Sequence, residues 1–237
     1  MKKYIFIDEP EKYSHPSLLH RTAKMIEELS KSKDVYIATH SPKLISMKDI
    51  GIDSIYVLND TSYEEKELPF KEIIDETVNQ LDINQIDKKS KEYYQKVSLQ
   101  KIIKNLHYHD FLYALFSKKI YLVEGIIDEV FLKKYWQYKN IFFEDYAIFV
   151  TYGKFALPIF AGLFKKIGID VQIFFDIDDE KIDKHKQVNE ILRTYNNISF
   201  NPNIEKYLTF EGKKNDIKKF IDFIDIFDMS SLIIWLF

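Results

Sequence analysis

Val171-Gln172-Ile173-Phe174-Phe175 followed by Asp176-Ile177-Asp178-Asp179 reads as a short apolar strand that ends in acid. A second apolar run, Ile120-Tyr121-Leu122-Val123, ends in Glu124-Gly125, with Asp128 four residues after the glutamate. Near-continuous apolar runs of this length, bounded by polar residues, are the pattern of parallel strands covered on both faces. Strand alternation predicts that Asp176 and Asp178 point the same way. A helix after Gly125 would put Glu124 and Asp128 on one face near its N-terminus. In open α/β sheets the ligand site lies beyond the carboxyl ends of the strands, so all four carboxylates are expected to gather there. Each like-charged pair at about 4 Å costs ~4 kcal/mol at an effective dielectric of ~20. A divalent cation removes that cost, and an all-oxygen ligand set suits Mg²⁺ or Mn²⁺. Asp179 and Asp183 are read instead as turn or helix-cap residues.

Leu122-Val123-Glu124-Gly125 with Asp128, Tyr152-Gly153-Lys154, and Phe175-Asp176-Ile177-Asp178 resemble a Toprim domain, the metal-dependent strand-cutting or strand-joining module of topoisomerases, primases and certain nucleases. The resemblance implies metal ligation by Glu124, Asp128, Asp176 and Asp178, with Glu124, Asp176 and Asp178 serving catalysis. Asn201-Pro202-Asn203-Ile204-Glu205 with Leu208 resembles the segment after the Asp-x-Asp strand, where an acid approaches the site, which implies that Glu205 joins Asp128 in holding a second metal ion. Gly212-Lys213-Lys214 resembles a later segment whose lysine neutralises the scissile phosphate, which would give Lys213 a catalytic role; the alternative is a solvated basic run. For Lys154 the readings are a phosphate contact or an exposed turn residue, and the turn is preferred.

The amino-terminal part follows another pattern. Tyr4-Ile5-Phe6-Ile7 is a strand ending in Asp8-Glu9-Pro10-Glu11. A helix should follow, capped by Ser14 or His15, with Pro16 in its first turn and an apolar face of Leu19, Ala23, Ile26 and Leu29. A second strand, Val35–Thr39, enters His40-Ser41-Pro42, and a third spans Ser54–Leu58. This order resembles the second half of an ABC-type ATPase head. By that resemblance Asp8 acts through Mg²⁺, Glu9 orients or deprotonates water, and His40 contacts the γ-phosphate. His40 alone would read as a strand-end histidine bonded to a local carbonyl. No Gly-x-x-x-x-Gly-Lys-[Ser/Thr] phosphate loop occurs in the chain. Most of the phosphate-binding free energy is then missing, and ATP is expected to act only if the missing amino-terminal half is supplied. The chain looks like the carboxyl-terminal part of a longer protein or of a split gene.

An ABC-type head followed by a Toprim domain is the arrangement of the OLD (overcoming lysogenisation defect) family of ATP-dependent nucleases, shared by Gabija-type phage-defence nucleases. The expected fold is α/β: a partial ABC-ATPase sheet over residues 1–70, a helical connector over 71–117, and a Rossmann-like parallel-sheet Toprim domain over 118–237. The resemblance implies a Mg²⁺- or Mn²⁺-dependent endonuclease whose partner is DNA, acting as a homo-oligomer or with a complete ATPase subunit. Two other readings stand beside it. One is a non-catalytic interaction or regulatory piece that docks on a complete ATPase. The other is a primase or topoisomerase fragment, which leaves Asp8-Glu9-Pro10-Glu11 and His40 unexplained.

The 34 Lys and Arg against 37 Asp and Glu give a net charge of −3, which argues against a whole-chain electrostatic grip on nucleic acid. Local lysine tracks remain, at Lys88, Lys89 and Lys91 and at Lys213, Lys214, Lys218 and Lys219. The absence of cysteine rules out a disulfide scaffold and a thiolate zinc site. No apolar run approaches the ~20 residues of a membrane span, no signal peptide is visible, and a cytoplasmic location is expected. His107 and His109, two apart on a helix, face different ways and make a poor metal pair. Tyr93, Tyr94 and Trp136 read as packing residues. The apolar end, Ser231–Phe237, should pack against something.

Overall fold

The structure is a computed structural model, and it describes residues 4–12, 15–46, 52–58, 65–141, 146–212 and 216–232. The chain divides into two compact units, residues 1–68 with 102–116, and residues 69–101 with 117–237. The stretch 71–117, expected as a connector, is therefore shared between them.

In the first unit β1 (Tyr4–Asp8) and β2 (Asp34–Ala38) pair in parallel, Tyr4 opposite Asp34 and Asp8 opposite Ala38. They are joined by a 3₁₀ turn, Pro16–Leu18, and α1 (Leu19–Ser30). Leu19 and Ala23 are buried, while Ile26 and Leu29 are half-buried, so the predicted face is the inner one. No side chain caps α1; the His15 Nδ1 accepts instead from the Ser17 amide, 3.3 Å, and Ser14 lies outside the described residues. After α2 (Pro42–Ser46), the third predicted strand forms as β3 (Tyr56–Leu58). It joins neither β1 nor β2. It pairs antiparallel with β4 (Glu65–Glu67), a strand the sequence analysis does not anticipate. Polar Glu-Lys-Glu carries no apolar alternation, and only its neighbour across the hairpin makes it a strand.

The second unit begins with α3 (Phe70–Val78), α4 (Lys88–Lys91) and α5 (Lys96–Ile102, whose last residue falls in the first unit). A π-helical turn, Ile103–His107, and α6 (Tyr108–Leu115) return to the first unit. His107 is buried and His109 exposed, facing apart as expected; burial holds the His107 imidazole below its usual pKa.

Four parallel strands then make the main sheet: β5 (Lys119–Val123), β6 (Tyr146–Val150), β7 (Asp170–Asp176) and β8 (Asn196–Phe200), in the order β6-β5-β7-β8. The register sets Val123 opposite Phe174 and Asp176 opposite Phe200, so the ends of β5 and β7 are neighbours. Helices α7 (Ile126–Tyr138), α8 (Leu157–Lys166), α9 (Asp183–Leu192), α10 (Ile204–Tyr207) and α11 (Ile217–Ile226) follow.

One core is built from Tyr121, Val123, Phe174 and Phe200 of the strands with Phe131 and Leu132 of α7 and Phe220 and Ile224 of α11. Trp136 packs edge-on to Tyr121 at 5.1 Å, as a packing residue. Phe149, on the strand face toward α8, meets Phe160 at 4.7 Å and Phe164 at 5.6 Å. Almost all of α8 is apolar and buried, because α3 covers it: a Cβ on Gly162 would meet Ile73 at 3.1 Å. With both faces covered, burial of the strand-end carboxylates becomes a real electrostatic cost.

Candidate active site

Strand β5 delivers Glu124 to the carboxyl edge of the main sheet, and Gly125 opens α7. The Gly125 amide donates to Asp128 Oδ2 at 2.8 Å, so Asp128 closes the first turn of its own helix. It is also buried, and burial first, then the charges of Asp176 and Glu124, push its carboxyl well above the usual range. Strand β7 delivers Asp176, 7% exposed. Its Oδ1 accepts the Ile204 amide at 2.9 Å. Burial, then the Glu124 charge, raise its pKa to about 7, and Asp178 and Glu205 add smaller increments. Asn203 caps α10 through the Lys206 amide, 2.9 Å, which sets Ile204 and Glu205 against the end of β7. Glu205 is itself buried.

Asp178 does not follow the strand alternation. The strand stops at Asp176, and Asp178 has a left-handed backbone, φ 56°. Its amide donates to the Pro202 carbonyl at 2.8 Å, and its Oδ2 pairs with the Lys154 ammonium at 3.1 Å. Asp176 and Asp178 therefore have different partners, because the turn begins one residue earlier than the Asp-x-Asp spacing suggests. Asp179 accepts from the Lys181 amide at 3.0 Å in an exposed turn, and Asp183 opens α9, both as read from sequence.

The preferred reading of Lys154 as an exposed turn residue is overturned: its side chain is 4% exposed. The loop that carries it leaves β6 through Thr151, whose hydroxyl donates to Val123 O and lies 3.1 Å from Gly153 O. Gly153 has φ 151°, a conformation open to glycine and costly for other residues. The sequence missed this burial because the lysine's partners are backbone carbonyls more than twenty residues away.

Asp128, Asp176 and Glu205 are buried and Glu124 and Asp178 half-buried, and an all-carboxylate set of this kind is chemically suited to a hard divalent cation. No three His, Asp or Glu side chains among the described residues are already arranged as a metal-holding group. Asp128 and Asp178 spend one oxygen each on Gly125 and Lys154. Lys213 and Lys214 lie outside the described residues.

Of the residues singled out in the first unit, Glu9 and His40 come near one another. The Glu9 Oε2 pairs with Lys12 at 2.5 Å and its Oε1 lies 3.7 Å from the His40 Nε2. The Lys12 hydrogen bond holds the Glu9 carboxyl below its usual pKa. Asp8, at the end of β1, is exposed. Glu11, given no role by the sequence reading, joins the two loops: its Oε1 accepts from the Thr39 hydroxyl at 2.6 Å and from the His40 amide at 2.9 Å.

Residues 115–178 match the family described as overcoming lysogenization defect protein-like, TOPRIM domain. The Old nuclease of Escherichia phage P2 is 29% identical over 180 residues, covering 73% of this chain and 27% of that protein. The endonuclease GajA of Bacillus cereus (strain HuB5-5) is 27% identical over 215 residues, covering 86% of this chain and 30% of that protein. The chain thus spans less than a third of the length of either relative. The matched family segment holds Glu124, Asp128, Lys154, Asp176 and Asp178 and stops before Glu205. The chain is thus mixed α/β with parallel sheets, and its residues 115–178 are similar to the TOPRIM domain of overcoming lysogenization defect protein-like sequences.

Proposed function

We propose that the chain is a cytoplasmic, divalent-cation-dependent DNA endonuclease of OLD type. The observation that carries the reading is the buried acidic edge of the main sheet, where Asp176 is raised to about 7 by burial and by Glu124. A group poised near neutrality gives up its proton when a cation offers a better partner. Glu124 and Asp176, with Asp128, Asp178 and Glu205, would hold Mg²⁺ or Mn²⁺. When bound, such a cation neutralises charge on the phosphodiester and clamps its reacting oxygens. The protein's own share is placement: the Gly125 amide fixes Asp128, the Ile204 amide fixes Asp176, and burial keeps competing water away. By resemblance, Lys213 would neutralise the scissile phosphate.

The first unit supports a companion role. Asp8, Glu9 and His40 would serve ATP only when a phosphate loop is supplied by the rest of a longer protein or by a complete ATPase subunit. The test of the main proposal is Mn²⁺- or Mg²⁺-dependent nicking of supercoiled plasmid by the purified chain, lost in Asp176→Ala. Cutting that survives both the substitution and chelation overturns it.

The interaction reading keeps one specific support. Tyr4, Phe6 and Tyr36 form an exposed aromatic face on β1 and β2, with Phe6 stacked on Tyr36 at 5.1 Å. Solvent-facing aromatic clusters of this kind mark association surfaces.

A further inference from the structure

Lys154 is a charged side chain withdrawn from solvent beside the acidic edge, and the proposed reaction has not used it. Its ammonium donates to the carbonyl of Asp176, to the carbonyl of Ile177 at 3.2 Å and to Asp178 Oδ2 at 3.1 Å. It also lies 5.7 Å from the centre of the Phe175 ring. These partners account for all three ammonium protons, so the side chain has neither the exposure nor a spare donor for a substrate phosphate.

The loop that carries Lys154 is held on both sides. The Tyr93 hydroxyl donates to Thr151 O at 3.4 Å, and the Tyr94 hydroxyl to Phe155 O at 2.5 Å. The Gly153 amide donates to Glu124 O at 3.0 Å, which ties the same loop to the end of β5. One short loop thus joins the residue bearing Glu124 to the turn bearing Asp176 and Asp178. On the far side, Asn189 donates to Ile177 O at 2.9 Å. A turn whose central residue is left-handed and non-glycine needs such outside support.

Resting on the reading of this edge as a cation site, we infer that Lys154 is its positioning residue. The ammonium pins the carbonyls of the β7 turn and aims the Asp178 carboxylate, so that Asp178 presents an oxygen to the cation without a search. Removing an orienting partner of a metal ligand typically costs about 10–100-fold in affinity. A lysine that served only as a nearby positive charge would do the reverse, since deleting it would tighten cation binding.

The experiment is Mn²⁺ binding to the full chain, followed by the paramagnetic resonance signal of free Mn²⁺, with circular dichroism to confirm folding. Lys154→Met is expected to weaken binding about 10-fold. Lys181→Met, an exposed lysine in the same turn, removes an equal charge and is expected to change binding less than about twofold. In an Asp178→Asn background, Lys154→Met should add less than about twofold, because the two residues act as one unit. Affinity that is unchanged or tighter in Lys154→Met, or a fully additive loss in the double variant, overturns the inference. Should Lys154→Met not fold, Asp178→Asn alone decides, and unchanged Mn²⁺ affinity there is equally fatal. A wild-type chain that binds Mn²⁺ with this dependence but cuts no DNA removes the nuclease proposal and leaves the positioning role standing. A wild-type chain that binds no Mn²⁺ overturns both.

Discussion

At the end of β1, Asp8 faces solvent and Glu9 is drawn below its usual pKa by Lys12; at the end of β7, Asp176 is buried and its pKa rises to about 7. Both strands are parallel, both feed a helix, and both carry acid at the same topological position. The difference comes from what covers the sheet. The main sheet has helices on both faces and closes water out of its edge. Strands β1 and β2 keep an open face on which Phe6 is 77% exposed, so charges at their ends remain hydrated. The same residue types are costly in one setting and cheap in the other. A chain does not retain a costly acidic cluster for stability, which is why the buried edge is the better place to look for chemistry.

The strongest way to break this comparison is cleavage. Glu124→Gln and Asp176→Ala should each lower Mn²⁺-dependent plasmid nicking by at least ~100-fold, since losing even an orienting partner of a ligand costs 10–100-fold. Glu9→Gln in the same isolated chain should leave nicking unchanged. Equal losses at both strand ends would show that the two constellations act together and that the contrast drawn from burial is false.

Stability against pH sharpens it next. The folded pKa of Asp176 lies above its unfolded value, so its contribution favours the native state below about pH 4 and is lost as pH rises through about 7. The difference between 3.8 and about 7 corresponds to an upper limit of ~4 kcal/mol for this buried group. With chelator present, the melting temperature should fall between pH 5 and pH 8, and Mn²⁺ should restore it. Asp176→Asn keeps an oxygen for the Ile204 amide and should flatten that fall. A pH-independent melting temperature in the wild type would contradict the burial argument.

Association is a smaller effect. If the aromatic face on β1 and β2 is what brings chains or a complete ATPase together, Phe6→Ser with Tyr36→Ser should shift light-scattering mass toward the monomer. A wild-type monomer that binds no partner would count against the interaction reading, and an oligomer insensitive to both substitutions would place its interface elsewhere.

Strands β5 and β7 could be read from sequence because each is a compact apolar run with an abrupt acidic end, and the helix after Gly125 follows from the same junction. Lys154 could not, because a buried lysine and a turn lysine look alike until the carbonyls of Asp176 and Ile177 are in place. Asp178 was misdirected by alternation, which holds only while the strand lasts. Glu11 was invisible because its partners, Thr39 and His40, are brought to it by the pairing of β1 with β2. Tyr4, Phe6 and Tyr36 carry the pattern of a covered strand and are exposed, since sequence alternation says which residues share a face and not what covers it.

The smallest expected effect is at the residues proposed to serve nucleotide. His40 is 84% exposed at its side chain, Asp8 is exposed, and Glu9 is occupied with Lys12. In the role proposed for them these residues would act on a phosphate that backbone amides and a lysine must first hold, and no phosphate-loop motif occurs in the sequence. Calorimetric titration of the isolated chain with ATP and Mg²⁺ should therefore give no binding heat up to millimolar nucleotide, and His40→Ala should change neither that result nor the melting temperature. The contrast with the main sheet is quantitative: Mn²⁺ binding should be readily measured at one strand end while ATP is ignored at the other. Micromolar ATP affinity in the lone chain would mean that the exposed end of β1 is a formed phosphate site after all, and that solvent exposure is a poor guide to which of the two edges works.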